Sequence, residues 1–285
     1  MTDEDLKLLS AAVRVLEHPG LVARLGSMVG KPIDLIRQAL PAGATQAIAA
    51  ATTKALDAAL AVALRSIRNK PGGSRLLHKV MATASGAVGG SVGLVALPVE
   101  LPISTIIMLR SIAEIARSEG EDLADPQTAL ACIEVFALGG RASGDDAADS
   151  GYFAVRGVLA KSVSEAARFI AERGIVSEGA PLLAAFIAQV ASRFGVVVTQ
   201  KLAAQILPVV GALGGAAVNY AFIDHFQDVA RAHFTVRRLE RTYSKDVVHI
   251  EYERLRDGTN PTSAESAAEQ VRSVHKLEAS IARRS

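Results

Sequence analysis

Gly86-Ala-Val-Gly-Gly-Ser-Val-Gly-Leu-Val-Ala-Leu-Pro-Val99 is an uncharged run that leads straight into Glu100-Leu-Pro102 and then into Met108-Leu-Arg110-Ser-Ile-Ala-Glu114. Roughly twenty apolar residues in a row are long enough to enter or span a bilayer. The glycines weaken a helix and dilute its hydrophobicity, and Arg110 and Glu114 would be costly facing lipid. The stretch therefore reads as helix that packs tightly inside a bundle or docks on a membrane, rather than as an ordinary span. Leu76 to about Leu97 and Pro102 to about Glu119 are expected as two helices of an antiparallel hairpin, separated by the Pro98 and Pro102 step.

The run has an echo. Gly86-Ala-Val-Gly-Gly90 returns as Gly211-Ala-Leu-Gly-Gly215, again in an uncharged apolar stretch near a proline. Gly86 with Gly90, Gly89 with Gly93, and Gly211 with Gly215 have the spacing that lets helix backbones approach closely. These glycines, together with Gly214, are the candidate helix-packing positions, and the two runs are expected to pack on each other.

The rest of the chain supports an all-α reading. Half of the 285 residues are hydrophobic, yet only 4% are aromatic and there is no Trp, so Ala, Leu, Val and Ile must fill the core. Such composition favours helix. Thr2-x-x-Asp5 caps a first helix that His18-Pro19-Gly20 stops. Short helices over Leu21 to Met28 and Pro32 to Leu40 follow, then a long one from Ala44 to Arg68. Asp125-Pro126 caps a helix that ends at Gly139-Gly140. Asp145 to Glu172, with Arg156, Lys161 and Arg168 on a polar face, Pro181 to Gln205, Val209 to Arg238 and Lys245 to Asp257 complete the set. Residues 1–257 read as one helical domain and 258–285 as a polar tail, partly helical or disordered.

A net charge of +2 gives no reason to expect a nucleic-acid partner. The charge is unevenly spread: residues 120–150 are acidic, whereas Arg231, Arg237, Arg238, Arg241, Lys245, Arg254 and Arg256 make 231–256 basic. Arg237, Arg238 and Arg241 are the candidate contacts to an anionic membrane surface. The acidic N-terminus lacks the pattern of a secretory signal, and the single Cys132, set in an apolar string, reads as a buried thiol. A cytoplasmic protein, peripheral at the inner membrane, is the expectation.

The polar residues inside apolar helices are the remaining candidates for chemistry. Glu100, Glu114, His225 and His233 are the acid and base groups that a hydrolase-type enzyme could use. Arg110, Glu134, Asn219 and Asp224 could form a polar seam with them, in which Arg110 is held by Glu114, Glu134 or Asp224. His225 and His233, eight apart, are too distant along a helix to share one metal by themselves. No hydrolase elbow, His-Glu-x-x-His or P-loop occurs, so no metal and no cofactor are expected. A soluble helical adaptor is the third reading, and the sequence leaves the oligomeric state open.

Leu97-Pro-Val-Glu-Leu-Pro102, Leu109-Arg-Ser-Ile-Ala113, Gly120-Glu-Asp-Leu123, Asp125-Pro126 and Glu134-Val-Phe-Ala-Leu-Gly139 resemble the EcsC family, as do Gly211 to Gly215, Asn219, Asp224-His-Phe226 and His233-Phe234 running into Arg237-Arg-Leu-Glu240. With Glu17-His-Pro-Gly20 the likeness covers most of residues 15–245. It implies a bacterial protein named for a component encoded beside an ABC transporter, and hence a membrane or a membrane protein, such as a transporter, as partner. It implies no reaction and no catalytic residues.

Overall fold

In the computed structural model the structure describes residues 1–17, 20–21, 25, 43–68, 93–140, 151–173, 181–206 and 211–259. Eight helices occupy them: α1 (Asp3–Glu17), α2 (Ala44–Arg68), α3 (Gly93–Ser118), α4 (Pro126–Leu138), α5 (Tyr152–Arg173), α6 (Pro181–Ile206), α7 (Gly211–Tyr243) and α8 (Lys245–Thr259). No strand occurs among the described residues. The all-α expectation holds.

The local signals act as read. The Thr2 hydroxyl accepts from the Asp5 amide at 3.2 Å while donating to the Asp5 carboxylate at 2.7 Å, which closes the first turn of α1. Asp125 accepts from the Gln127 amide at 3.0 Å, and Pro126 occupies the first turn of α4, where its missing N–H costs nothing. Gly120 ends the turn after α3 at φ +81°, the left-handed region that suits glycine. Ser244 adopts φ 78° and separates α7 from α8.

One boundary differs. α3 runs through both Pro98 and Pro102 as a single helix, so the expected hairpin turn between them is not there. The two prolines are four residues apart and share one side of the helix, with Pro98 exposed and Pro102 half-buried. Leu97, Leu101, Thr105, Met108, Ile112 and Ala116 form an unbroken buried stripe on the adjoining face. Packing along that stripe keeps the helix continuous where proline alone would end it. The run Gly86, Gly89 and Gly90 and the short helices expected over 21–40 lie outside the described residues, as does 141–150. Gly93 opens α3, and Gly211, Gly214 and Gly215 lie in the first turns of α7.

α4 is the axis of the bundle. Every residue from Thr128 to Leu138 is buried, and α2, α3, α5, α6 and α7 all pack against it. Phe136 meets Phe194 of α6 and Phe226 of α7 at ring separations of 4.9 and 5.4 Å. At its end the two glycines are obligatory: a Cβ on Gly139 would lie 2.4 Å from the Phe226 ring, and one on Gly140 would lie 2.6 Å from the Arg193 carbonyl oxygen. α1 lies against α7 and α8.

Candidate functional site

A polar layer crosses this apolar bundle, and it starts at the loop before α4. The Glu121 carboxylate is held by two parallel bonds from Arg237, Nε to Oε1 at 2.8 Å and Nη2 to Oε2 at 2.9 Å, and by Arg241. Thr128 donates to it as well, at 3.1 Å. Burial alone would raise its pKa, but the hydrogen bonds and charges of Arg237 and Arg241 outweigh that and bring it down to about 2. Arg238 donates to Glu119 at 2.8 Å and lies 3.7 Å from Asp5 of α1. Arg237 and Arg241 are thus engaged by Glu121 of the acidic segment, and Arg238 by Glu119 and Asp5 outside it. Each of the three cations is paired with a carboxylate, while Arg238 and Arg241 keep 35% and 43% of their side chains exposed.

The second part of the layer joins α5 to α7. Arg156 makes a two-pronged pair with Glu240, at 2.8 and 3.0 Å, and its Nη1 also donates to the Tyr152 hydroxyl at 3.1 Å. That hydroxyl lies 3.0 Å from His233 Nδ1. The hydroxyl has two acceptor sites and one proton, so which of the two groups donates in this contact depends on the imidazole tautomer. His233 Nε2 is buried without a hydrogen-bond partner among the described residues. Burial, then the charges of Arg156 and Arg237, hold the His233 pKa well below its usual value, so the ring is neutral. Tyr152 stacks on Tyr252 at 5.5 Å, and Glu17 of α1 accepts from the Tyr252 hydroxyl at 2.7 Å and the Tyr152 amide at 3.2 Å.

Glu134, on α4, feels the charges of Arg156, Arg237 and Glu240. It is 5% exposed, and burial raises its pKa to about 7 against the opposing pull of Arg156 and Arg237. Those two guanidiniums are already committed to Glu240 and Glu121. Of the residues singled out as a seam, Glu134 and His233 therefore do enter one buried polar layer, together with Tyr152, Arg156, Arg237 and Glu240.

The other candidates go elsewhere. Arg110 pairs with Glu114 at 3.1 Å on the open surface, the side chains being 47% and 57% exposed, so the couple does not order a buried junction. Glu100 meets Lys201, whose buried ammonium lies 3.0 Å from the carboxylate and 4.8 Å from the centre of the Phe222 ring. His225 Nε2 is 2.8 Å from the Gly139 carbonyl oxygen and closes the end of α4. Asn219 Oδ1 is buried without a hydrogen-bond partner among the described residues, and Asp224 is half-buried on α7. Glu100, Glu114, His225 and His233 thus take separate partners. No three of the described His, Cys, Asp and Glu residues come close enough to hold a metal.

Tyr152, Arg156, Lys201 and Glu240 were not singled out as site residues by the sequence. Arg156 was expected on an exposed face of α5, but it is the pivot of the layer. Lys201 was legible as the one charge late in an apolar helix, a position that calls for a buried partner.

Two of the described helices are long and apolar enough to cross a membrane by length and composition: Ala44–Arg65, half of it buried, and Pro181–Gln205, 33% buried. The stretch expected to be most membrane-like ends instead in α3, whose Glu100, Arg110 and Glu114 break its apolar character. On α6 the exposed positions include Leu182, Ala184, Ala185, Ala188 and Ser192.

The model of the EcsC protein family matches residues 3–239. No curated protein and no solved structure matches the chain.

Proposed function

The chain belongs to the EcsC family, and from that premise we propose that it works at a membrane: a cytoplasmic helical protein associating peripherally with the inner membrane or with a membrane protein, for which a transporter is the partner class the family resemblance suggests. The observation that carries this reading is α6. A 25-residue segment of mean hydropathy 1.8 with only 33% of its window buried is under-covered for the core helix of a bundle. Its exposed positions Ala184, Ala185, Ala188 and Ser192 are small and recur at helical spacing, a flat surface that a lipid headgroup boundary or a transmembrane helix can approach closely. The contact is thus assigned to α6 rather than to Arg237, Arg238 and Arg241, whose charges are met within the molecule.

Fractionation of the expressed protein into soluble, salt-extractable and detergent-requiring pools tests the reading, together with flotation on vesicles of phosphatidylcholine and phosphatidylglycerol. The wild type is expected in a membrane pool. Ala184→Asp with Ala188→Asp places two charges on the exposed side of α6 and should shift the protein to the soluble pool with its helical circular dichroism unchanged. Wild type wholly in the soluble pool, or a variant that partitions as the wild type does, would remove α6 as the contact.

A further inference from the structure

The chain holds two stretches without a charge, residues 80–99 and 202–223, each about twenty residues and so of the length that matches the apolar thickness of a bilayer. Glu100 is the charge that closes the first, and Lys201 is the charge that opens the second. These two bounding charges meet in space. Lys201 Nζ lies 3.0 Å from the Glu100 carboxylate and 4.8 Å from the centre of the Phe222 ring, next to the last residue of the second stretch. One end of the first stretch and both ends of the second therefore lie together.

The packing turns this juxtaposition into an end of the molecule. α3 and α7 lie against each other and run in the same direction: Glu100 and Phe222 share Lys201 at one level, and Glu119 meets Arg238 further along both helices. The starts of α3 and α7 and the last turn of α6 thus gather at one end of the bundle. Among the described residues there, 93–99 of α3, 202–206 of α6 and 211–223 of α7 carry no charge. Asp5, Glu121, Arg237, Arg238 and Arg241 crowd the opposite end. The uncharged end is also open: Val99 is 62% and Tyr220 71% exposed, and Pro98 and Ala217 are exposed beside them in sequence.

We propose that this end of the bundle enters a lipid bilayer, with the Glu100–Lys201 pair as the collar at which the charged part of the molecule stops. This builds on the reading that the chain works at a membrane, and it extends the contact from the side of α6 to the end that the last turn of α6 helps to form. The charge distribution selects lipid as the occupant. A protein partner is met through a polar rim around an apolar centre, whereas this end offers uncharged sequence on every strand of chain that reaches it. Tyr220 presents an apolar ring with a polar tip, the combination that sits at the headgroup level. Lys201, buried to 4% of its side chain, is turned inward onto Glu100 and the Phe222 face, so the collar takes no unpaired cation toward the acyl chains. Glu100 stays 43% exposed, which keeps its carboxylate at the wet boundary.

Val99→Cys, Tyr220→Cys and Val247→Cys, each labelled on the full chain with a nitrobenzoxadiazole fluorophore, test the proposal on vesicles of phosphatidylcholine and phosphatidylglycerol. Cys132 is buried and takes no label, and Val247, 42% exposed in the first turn of α8, is the control beyond the charged end of α7. On adding vesicles, emission at 99 and 220 is expected to shift to the blue, rise about threefold or more and be quenched by doxyl-labelled acyl chains, with no change at 247. Probes at 99 and 220 that stay silent while the protein floats with the vesicles overturn this proposal and leave the contact on the side of α6 standing; protein that does not float overturns both. A response at 99 and 220 that needs no vesicles and grows with protein concentration assigns the end to a second copy of the chain, and overturns the proposal as well. Val99→Asp with Tyr220→Asp changes two exposed side chains and should lower the partition coefficient onto vesicles by about tenfold or more with helical circular dichroism unchanged. Partitioning equal to wild type overturns the proposal, and the labelled variants carry the test if the double variant fails to fold.

Discussion

Glu121 and Glu134 are both buried acids at the two ends of the same short stretch, and they behave as opposites. Glu121 meets two guanidiniums and a hydroxyl and titrates near 2, whereas Glu134 faces guanidiniums that belong to other acids and titrates near 7. Burial is common to both, so the difference lies in partnership. Two hydrogen-bonded arginines overcome desolvation, and two arginines shared at a distance do not. The first acid fastens α7 to the start of α4; the second is a built-in weakness of the same layer.

The most severe way to break this contrast is to give Glu121 the situation of Glu134. Arg237→Met removes its two-pronged partner and is expected to cost about 3 to 5 kcal/mol at neutral pH, measured by urea unfolding. The sign of the pH dependence follows. Because the folded pKa of Glu121 is depressed from 4.5 to about 2, its stabilisation is present above about pH 4.5 and is lost as pH falls toward 2. The deficit of Arg237→Met should therefore shrink in acid. A deficit that is small and constant with pH would mean that Arg241 alone holds the carboxylate.

Glu134→Gln sharpens the comparison from the other side. The folded pKa of Glu134 is raised from 4.5 to about 7, so the wild type loses stability as pH rises across that interval and carries the full penalty above it. The variant should be more stable than wild type at about pH 8, by about 2 to 3 kcal/mol, with no advantage near pH 4.5. His233 runs the opposite way, because its folded pKa is depressed below 6.5 and it loses stability as pH falls. In the wild type the two slopes offset each other between about 4.5 and 6.5. In Glu134→Gln the histidine slope stands alone, so stability should climb with pH up to about 6.5. Unfolding midpoints across this range check both statements.

Smaller effects test the frame around the layer. Gly140→Ala would push a methyl group against the Arg193 carbonyl oxygen, at 2.6 Å, and should destabilise by about 1 to 3 kcal/mol in thermal unfolding. Arg110→Met lies at the other extreme. Its pair with Glu114 is exposed, so a double-mutant cycle between the two should give a coupling of about 0.5 kcal/mol or less. A coupling of several kcal/mol would restore Arg110 to a buried role.

The fold was readable wherever the determinant is local. Thr2 with Asp5 and Asp125 with Pro126 set helix ends through neighbours within four residues, and each acts as its sequence says, whereas Gly139 is required by the ring of Phe226. The continuous course of α3 through Pro98 and Pro102 was not readable, because it depends on other helices covering the stripe from Leu97 to Ala116. The site shows the same division. Glu134 and His233 were noticed as charges in apolar surroundings, yet the partners that define them lie far along the chain: Glu121 with Arg237, Arg156 with Glu240, Glu17 with Tyr252. Arg156, taken for a surface residue by its helical period, needed the position of α7 to be placed. The acidic and basic segments were legible as an asymmetry, and only the bundle shows that Glu121 of the first meets Arg237 and Arg241 of the second.

Cys132, the only cysteine of the chain, lies on α4 two residues before Glu134, is 2% exposed, and has its thiol pushed up to about 12 by burial. In the closed bundle that sulfur is chemically silent toward thiol reagents. It wakes only when α4 is uncovered. The molecule thus carries its own unlabelled stopwatch: the rate at which a maleimide consumes Cys132 counts openings of the central helix, one event at a time, without any engineered probe.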